Sequence, residues 1–290
     1  MLTLRTNIAT YPVTQALKDG RVRSERVALD FRGPKTAHDG FKPMLRHDAF
    51  DVGEMALATY LQARIHRKPY VMMPAATVGR LQHRSIVYNR ALGVIGPKDI
   101  EGRKVGVRAY TQTTGLWVRG VLRHVHGVDL DRVTWVTVED PHVAEYVDPA
   151  NCLRVEETPS LTQRMMDGEL AAAILGYGIP DNPDIATLIP QADQAGRDWL
   201  ASGGVWPINH MVVVHERLTR EHPDAVREIY RMIGDSRRHA PEAAAQLPPM
   251  GLAANRKALE TAIEWAFEQH IIPRRLSVDE LFDDVTGCLD

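Results

Sequence analysis

The sequence predicts an α/β fold built as two lobes. Three observations carry that prediction. Short apolar runs alternate with helical patterns through the first hundred residues, as in a sheet of mainly parallel strands. A second block of the same kind begins at Lys104. From Glu216 onward the pattern is almost wholly helical, with Pro248-Pro249 dividing it.

The first lobe reads as follows. Residues 2–8 form a strand, and 13–18 a short helix closed by Asp19-Gly20. Residues 26–31 alternate Val27, Leu29 and Phe31 with polar neighbours, which suits a second strand. Residues 42–46 are weakly helical, and 50–52 make a short strand. Residues 54–64 make a helix, with Met55, Ala58, Leu61 and Ala63 roughly on one side. Residues 70–73 form a strand that Pro74 stops.

In the second block, strands are expected over Lys104–Val107, 133–138 and 170–175. Helices are expected over 112–126, ended by Gly127, and over Leu161–Met166. A strand over 211–214 precedes helices at Pro223–Arg238, 256–269 and 278–289. The chain should cross between lobes twice, near 84–95 and 195–212. Lobe 1 is then 1–88 with 207–290, lobe 2 is 89–206, and a ligand lies in the cleft at the strand ends.

Composition narrows the partners. The chain has 290 residues, 44% of them hydrophobic, enough for a sizeable core. Its net charge is −2, from 35 Lys+Arg against 37 Asp+Glu, which argues against a nucleic-acid groove or a polybasic membrane anchor. Cys152 and Cys288 stand far apart, and no CxxC, CxxH or HExxH spacing occurs, so a structural zinc is not expected. The N-terminus shows no apolar signal region, and no run of eighteen apolar residues appears. A complete, cytoplasmic protein with a small-molecule ligand is the expectation.

The stretch "RAYTQTTG" (108–115) opens a helix with Thr111, Gln112 and Thr113. Such a helix start either caps itself or holds an anion, with Arg108 adding charge. His83 and Arg84 stand at the first crossing and His210 at the second, so they could face one cleft. Tyr11 and Trp206 are candidates for stacking on a ring. Glu54, His83 and His210 together could make a two-histidine, one-carboxylate metal set, although their spacing carries no signal for it. No cofactor is expected from the sequence. Ile271-Ile272, beside Pro273, look exposed and could pack on a second subunit.

Several stretches resemble the 4,5-dihydroxyphthalate decarboxylase family. They include "ALKDGRV" (16–22), "FDVGEMALATYL" (50–61), "HRSIVYN" (83–89), "PKDIEGRKVGV" (97–107), "GVWPINHMVVV" (204–214) and "NRKALETAIEWAFEQHIIPRRLSVDELF" (255–282), in family order across nearly the whole chain. The resemblance implies a type II periplasmic-binding-protein-like fold and a cytoplasmic lyase acting on a hydroxylated aromatic carboxylate. It ranks His210 first as proton donor, through "GVWPINH", and His83 second. It places Glu54 at the cleft edge, as acceptor for a phenolic proton. Departures fall at Tyr11-Pro12-Val13-Thr14, at Arg108-Ala109, at Pro248-Pro249-Met250-Gly251 and at Gly176-Tyr177-Gly178. A non-catalytic carboxylate-binding protein or sensor, and another lyase such as a dehydratase, are the alternatives.

Overall fold

The computed structural model describes residues 1–176 and 178–290; Tyr177, within one of the departures above, lies outside the described residues. The first lobe opens with β1 (Leu2–Asn7), α1 (Gln15–Lys18), β2 (Val27–Phe31), α2 (Phe41–His47), β3 (Val52–Ala56), α3 (Leu57–Ile65) and β4 (Tyr70–Gly79). The second lobe holds β5 (Ile86–Asn89), β6 (Lys104–Val107), α4 (Thr113–His124), β7 (Thr134–Thr137), β8 (Cys152–Arg154), α5 (Leu161–Met166), β9 (Ala172–Ile174), β10 (Ile185–Thr187) and α6 (Ala192–Ala201). The chain then returns through β11 (Ile208–His215), α7 (Glu216–Glu221), α8 (Pro223–Arg238), α9 (Pro241–Ala244) and α10 (Leu252–Glu268).

Two sheets result. One has the order β2-β1-β3-β11-β4 and the other β10-β5-β9-β6-β7-β8. In the first, β1 pairs parallel with β2 and β3, while β11 runs antiparallel to β3 and β4. In the second, β6 pairs parallel with β7 and β9, and β5 pairs antiparallel with β9 and β10. Every residue of β3 is buried, so that strand is covered on both faces. On α8 the buried Val226, Ile229, Tyr230 and Ile233 recur at helical spacing and form one face against the first sheet.

Several sequence expectations change. Glu54 stands inside strand β3, not at the start of a helix. Strand and helix abut at Ala56-Leu57, so no turn signal separates the two periods. Pro74 does not stop β4, which continues to Gly79. The β4–β11 register shifts between Met211 and Val213, opposite Pro74, and such an irregularity is where a strand tolerates a residue without an N–H. Ile86–Asn89 pairs in the second sheet, so the first crossing lies between Gly79 and Ile86 and the lobe 1 boundary at residue 88 is too late. Residues 278–289 carry only short 3₁₀ turns, Asp279–Leu281 and Thr286–Cys288. Ile271 and Ile272 are each 1% exposed, packed into this chain's own core, so they offer no surface to a second subunit.

One apolar core runs through both lobes. It contains Met55, Tyr70 and Met211 of the first, Val105, Trp117 and Trp135 of the second, and Ala262 and Ile271 of the C-terminal region. The C-terminal segment also ties α3 to α4 by hydrogen bonds. Gln62 Nε2 donates to the Ile271 carbonyl at 3.2 Å, and Tyr110 Oη donates to the Gln269 carbonyl at 3.0 Å. Arg119, fully buried on α4, donates Nε to Gln269 Oε1 at 2.8 Å and lies 4.0 Å from the Tyr110 ring centroid.

Candidate active site

The cleft between the sheets encloses about 1030 Å³ and draws its walls from both lobes. The first lobe contributes the loop after β1, the start of α2, the end of β4 and the start of β11. The second contributes the start of α4, the segment after β7 and the start of α5.

Glu54 and His210 are neighbours on paired strands, with His210 opposite Ala56 on β3 and Val78 on β4. Glu54 has no exposed surface. Its Oε1 accepts from the Ala9 N–H at 2.9 Å and from Tyr11 Oη at 3.1 Å. Its Oε2 accepts from Thr77 Oγ1 at 2.6 Å and stands 3.3 Å from His210 Nδ1. Burial pushes the Glu54 carboxyl up, but the hydrogen bond and charge of His210, with the Thr77 and Ala9 donors, outweigh it and hold the group below the usual carboxylate range. An ionised carboxylate is an acceptor only, so Nδ1 carries the proton in this pair and Nε2 is the nitrogen left for a ligand. Glu54 does not line the cleft; His210 does. The expected role of Glu54 as acceptor for a substrate phenol is therefore corrected: its acceptor sites are filled by the protein, and it orients His210.

The other predicted residues separate into two groups. Tyr11, Arg108, Thr111, Gln112 and Thr113 line the cleft. His83, Arg84 and Trp206 do not. His83 is 2% exposed and packs against Trp199, ring centroids 5.6 Å apart, and burial lowers its pKa to about 4. Arg84 lies on the surface, 3.5 Å from Asp193. Trp206 stands beside Gly79, its indole Nε1 3.2 Å from where a β-carbon would sit. With His83 placed there, Glu54, His83 and His210 do not gather, and no cluster of three His, Cys, Asp or Glu side chains among the described residues is arranged to hold a metal. Asp51, just before β3, binds Arg5 at 2.7 Å and also Arg217.

The helix start that the sequence singled out does face the cleft. The N–H groups of the first turn of α4 have no acceptor within the helix. Thr113 spends its hydroxyl elsewhere, accepting from the Ala58 N–H of α3 at 3.0 Å. Thr114 Oγ1 accepts from Asn209 Nδ2 at 3.3 Å, which seats the residue before His210 against this helix start. Gln112 Oε1 is buried with no partner among the described residues. Arg80 adds a cation to the same wall. Arg108 is largely committed: it lies 3.5 Å from Glu139, and its Nη2 is 3.3 Å from His38 Nδ1.

Sequence reasoning missed His38, Phe41 and His142. All three line the cleft. The Phe41 ring meets His210 at 5.4 Å and His142 at 5.3 Å, both edge-on. His38 Nε2 stands 3.3 Å from Glu139. These residues come from loops or the first residue of a helix, where no periodicity marks them.

No family model matches the chain. A curated protein of Comamonas testosteroni named 4,5-dihydroxyphthalate decarboxylase is 24% identical over 235 residues, which is 77% of this chain and 71% of that protein. One of the same name from Pseudomonas putida is 26% identical over 231 residues, 71% of this chain and 89% of that protein. The chain is similar to 4,5-dihydroxyphthalate decarboxylases over most of its length.

Among solved structures, it superposes on the alkanesulfonate-binding protein SsuA of Xanthomonas axonopodis pv. citri, bound to MOPS, with a TM-score of 0.57 at 13% identity and 98% of each chain covered. The periplasmic aliphatic sulphonate-binding protein SsuA of Escherichia coli gives 0.57 at 10% identity, over 98% of this chain and 92% of that one. The desulfurization enzyme DSZB gives 0.56 at 13% identity, over 99% and 98%. The fold is that of the type II periplasmic-binding-protein group. No helix among the described residues is long and apolar enough to cross a membrane.

Proposed function

We propose that this protein is a carboxy-lyase that removes carbon dioxide from a hydroxylated aromatic acid of the dihydroxyphthalate kind. The observation that carries this reading is the Glu54–His210 pair at the cleft wall, supported by the similarity to two named decarboxylases. A protein that only holds a carboxylate needs the α4 helix start. It has no use for an imidazole held in one tautomer by a buried carboxylate.

The chemistry follows from the substrate class. A phenolic oxygen ortho or para to the carboxylate pushes electrons into the ring. The ring carbon bearing the carboxylate accepts a proton, the bond to the carboxylate breaks, and its electron pair restores the aromatic ring as carbon dioxide leaves. His210 Nε2 supplies that proton, and the Glu54 carboxylate is the counter-ion of the imidazolium before transfer. The first turn of α4, with Thr111 and Arg80, holds carboxylate charge. Holding the departing carboxylate too tightly would stabilise the ground state and gain nothing in rate, so the clamp acts best on a second, retained carboxylate. We also place the activity in the cytoplasm and invoke no cofactor.

The test is direct. Purified protein is incubated with 4,5-dihydroxyphthalate and a panel of hydroxybenzoates while carbon dioxide release is followed. Release from one of these acids, lost in His210→Ala, is the expected result. Binding across the panel without release would leave a carboxylate-binding protein instead.

A further inference from the structure

His142 reaches the cleft in an unusual way. It belongs to the segment after β7, a second-lobe strand, yet that segment docks on the first lobe. Arg46 of α2 donates Nε to the His142 carbonyl at 3.3 Å and Nη2 to the Pro141 carbonyl at 3.1 Å. Lys68 pairs with Glu145 at 2.7 Å, and Val143 is wholly buried in the common core. His142 is 6% exposed. Its Nδ1 lies 2.8 Å from Thr59 Oγ1 of α3, a buried hydroxyl that has no other hydrogen bond among the described residues.

Whichever partner donates in that contact, Nδ1 is used and Nε2 is left without a protein partner among the described residues. Thr59 and His142 both line the cleft. Burial, with the charges of His38, Arg108 and Lys42, lowers the His142 pKa to about 3, so the ring is neutral in any ordinary buffer. A neutral imidazole fixed at one nitrogen and open at the other is a hydrogen-bonding group, not a charge clamp. It stands across Phe41 from His210, and His210 follows the residue seated against the start of α4. Both imidazoles meet the Phe41 ring, so an aromatic acid seated beside His210 lies along the same wall as the open Nε2 of His142.

We infer that His142, held by Thr59, is the specificity-determining residue that hydrogen-bonds a ring hydroxyl of the aromatic acid. This rests on the aromatic-acid reading of the cleft and names the group that reads the hydroxyl. A site built to hydrogen-bond a substrate hydroxyl discriminates against the analogue that lacks it, because its own polar group is left unpaired.

The experiment measures dissociation constants by calorimetry for 4,5-dihydroxyphthalate and for phthalate in a His210→Ala background, where the acid is not consumed, with positions 142 and 59 as in wild type or carrying His142→Phe or Thr59→Val. The His210→Ala protein should prefer the dihydroxy acid. His142→Phe should lose about ten-fold in affinity for it, one hydrogen bond's worth, and little for phthalate. Thr59→Val conserves volume and should show a smaller loss with the same selectivity; it carries the comparison if His142→Phe fails to fold. Equal weakening of both acids, unchanged discrimination in the variants, or no preference in the His210→Ala protein would each overturn the inference. Preference without carbon dioxide release from wild type would sink the lyase reading and leave this one standing. Release with discrimination untouched in both variants would do the reverse.

Discussion

His210 Nδ1 stands 3.3 Å from the carboxylate of Glu54, and Glu54 has no surface of its own in the cleft. The carboxylate therefore acts on a ligand only through the imidazole. Replacing it should disturb proton transfer more than binding.

Glu54→Gln is expected to lower kcat by about 10²-fold or more while leaving KM within a few-fold, since a positioned proton donor contributes on that scale. Four donors converge on the carboxylate, so the amide also brings a donor–donor conflict and a lower melting temperature. A kcat/KM profile whose pH dependence is unchanged from wild type would show that Glu54 has no part in setting the proton on His210.

His83 and His142 are both buried and neutral, and their pKa values are lowered, by burial first, to about 4 and about 3 from an ordinary 6.5. The unfolded chain binds protons that the native state does not. Their contribution to stability is thus complete above pH 6.5 and is lost as pH falls from there toward those values. His83→Leu should flatten the fall in melting temperature between pH 6.5 and about 4 while leaving turnover intact, because His83 stands outside the cleft. A steep fall in the variant equal to that of wild type would count against this account.

Thr113 faces the cleft but gives its hydroxyl to the Ala58 N–H across the lobes. Thr113→Val leaves a buried donor unsatisfied and should destabilise by about 1–3 kcal/mol, read by denaturant titration. Affinity for an aromatic acid should change little, in contrast to Thr111→Val.

Gly120 on α4 lies flat against Trp265 of α10, where a β-carbon would overlap the indole. Trp265 also stacks with His124 and Trp199, at 5.2 and 6.2 Å, and these contacts hinder it from turning aside. Gly120→Ala should cost about 1–3 kcal/mol, the scale of overpacking a tight core. An unchanged melting temperature would mean that the two helices separate more easily than this contact suggests.

The two-lobed α/β plan was legible because it rests on local periods and on long stretches of resemblance in order. The α4 helix start and His210 were legible for related reasons: one is a turn chemistry, the other part of a recognisable stretch. Glu54 was found but misassigned, because β3 runs into α3 without a break and the helical period was extended back over it. His83 was drawn in by its place at a crossing, yet the residues that decide its fate, Trp199 above all, are more than a hundred positions away. His38 and His142 carry no local mark. What brings His142 into the cleft is the docking of one lobe's loop on the other, and that is settled by Arg46, Thr59 and Lys68, none of which stands out in the sequence.

The apolar core that joins Met55, Trp117 and Ile271 has a thermodynamic consequence. Two sheets with two crossings suggest halves that melt in turn, or that swing apart about a hinge. A shared interior gives neither half a stable surface to expose alone. Calorimetric and van't Hoff enthalpies should agree, with one transition for the whole chain. Injury to packing far from the cleft, as at Gly120, would then be felt at His210 through the population of intact molecules, with no pathway of contacts between the two.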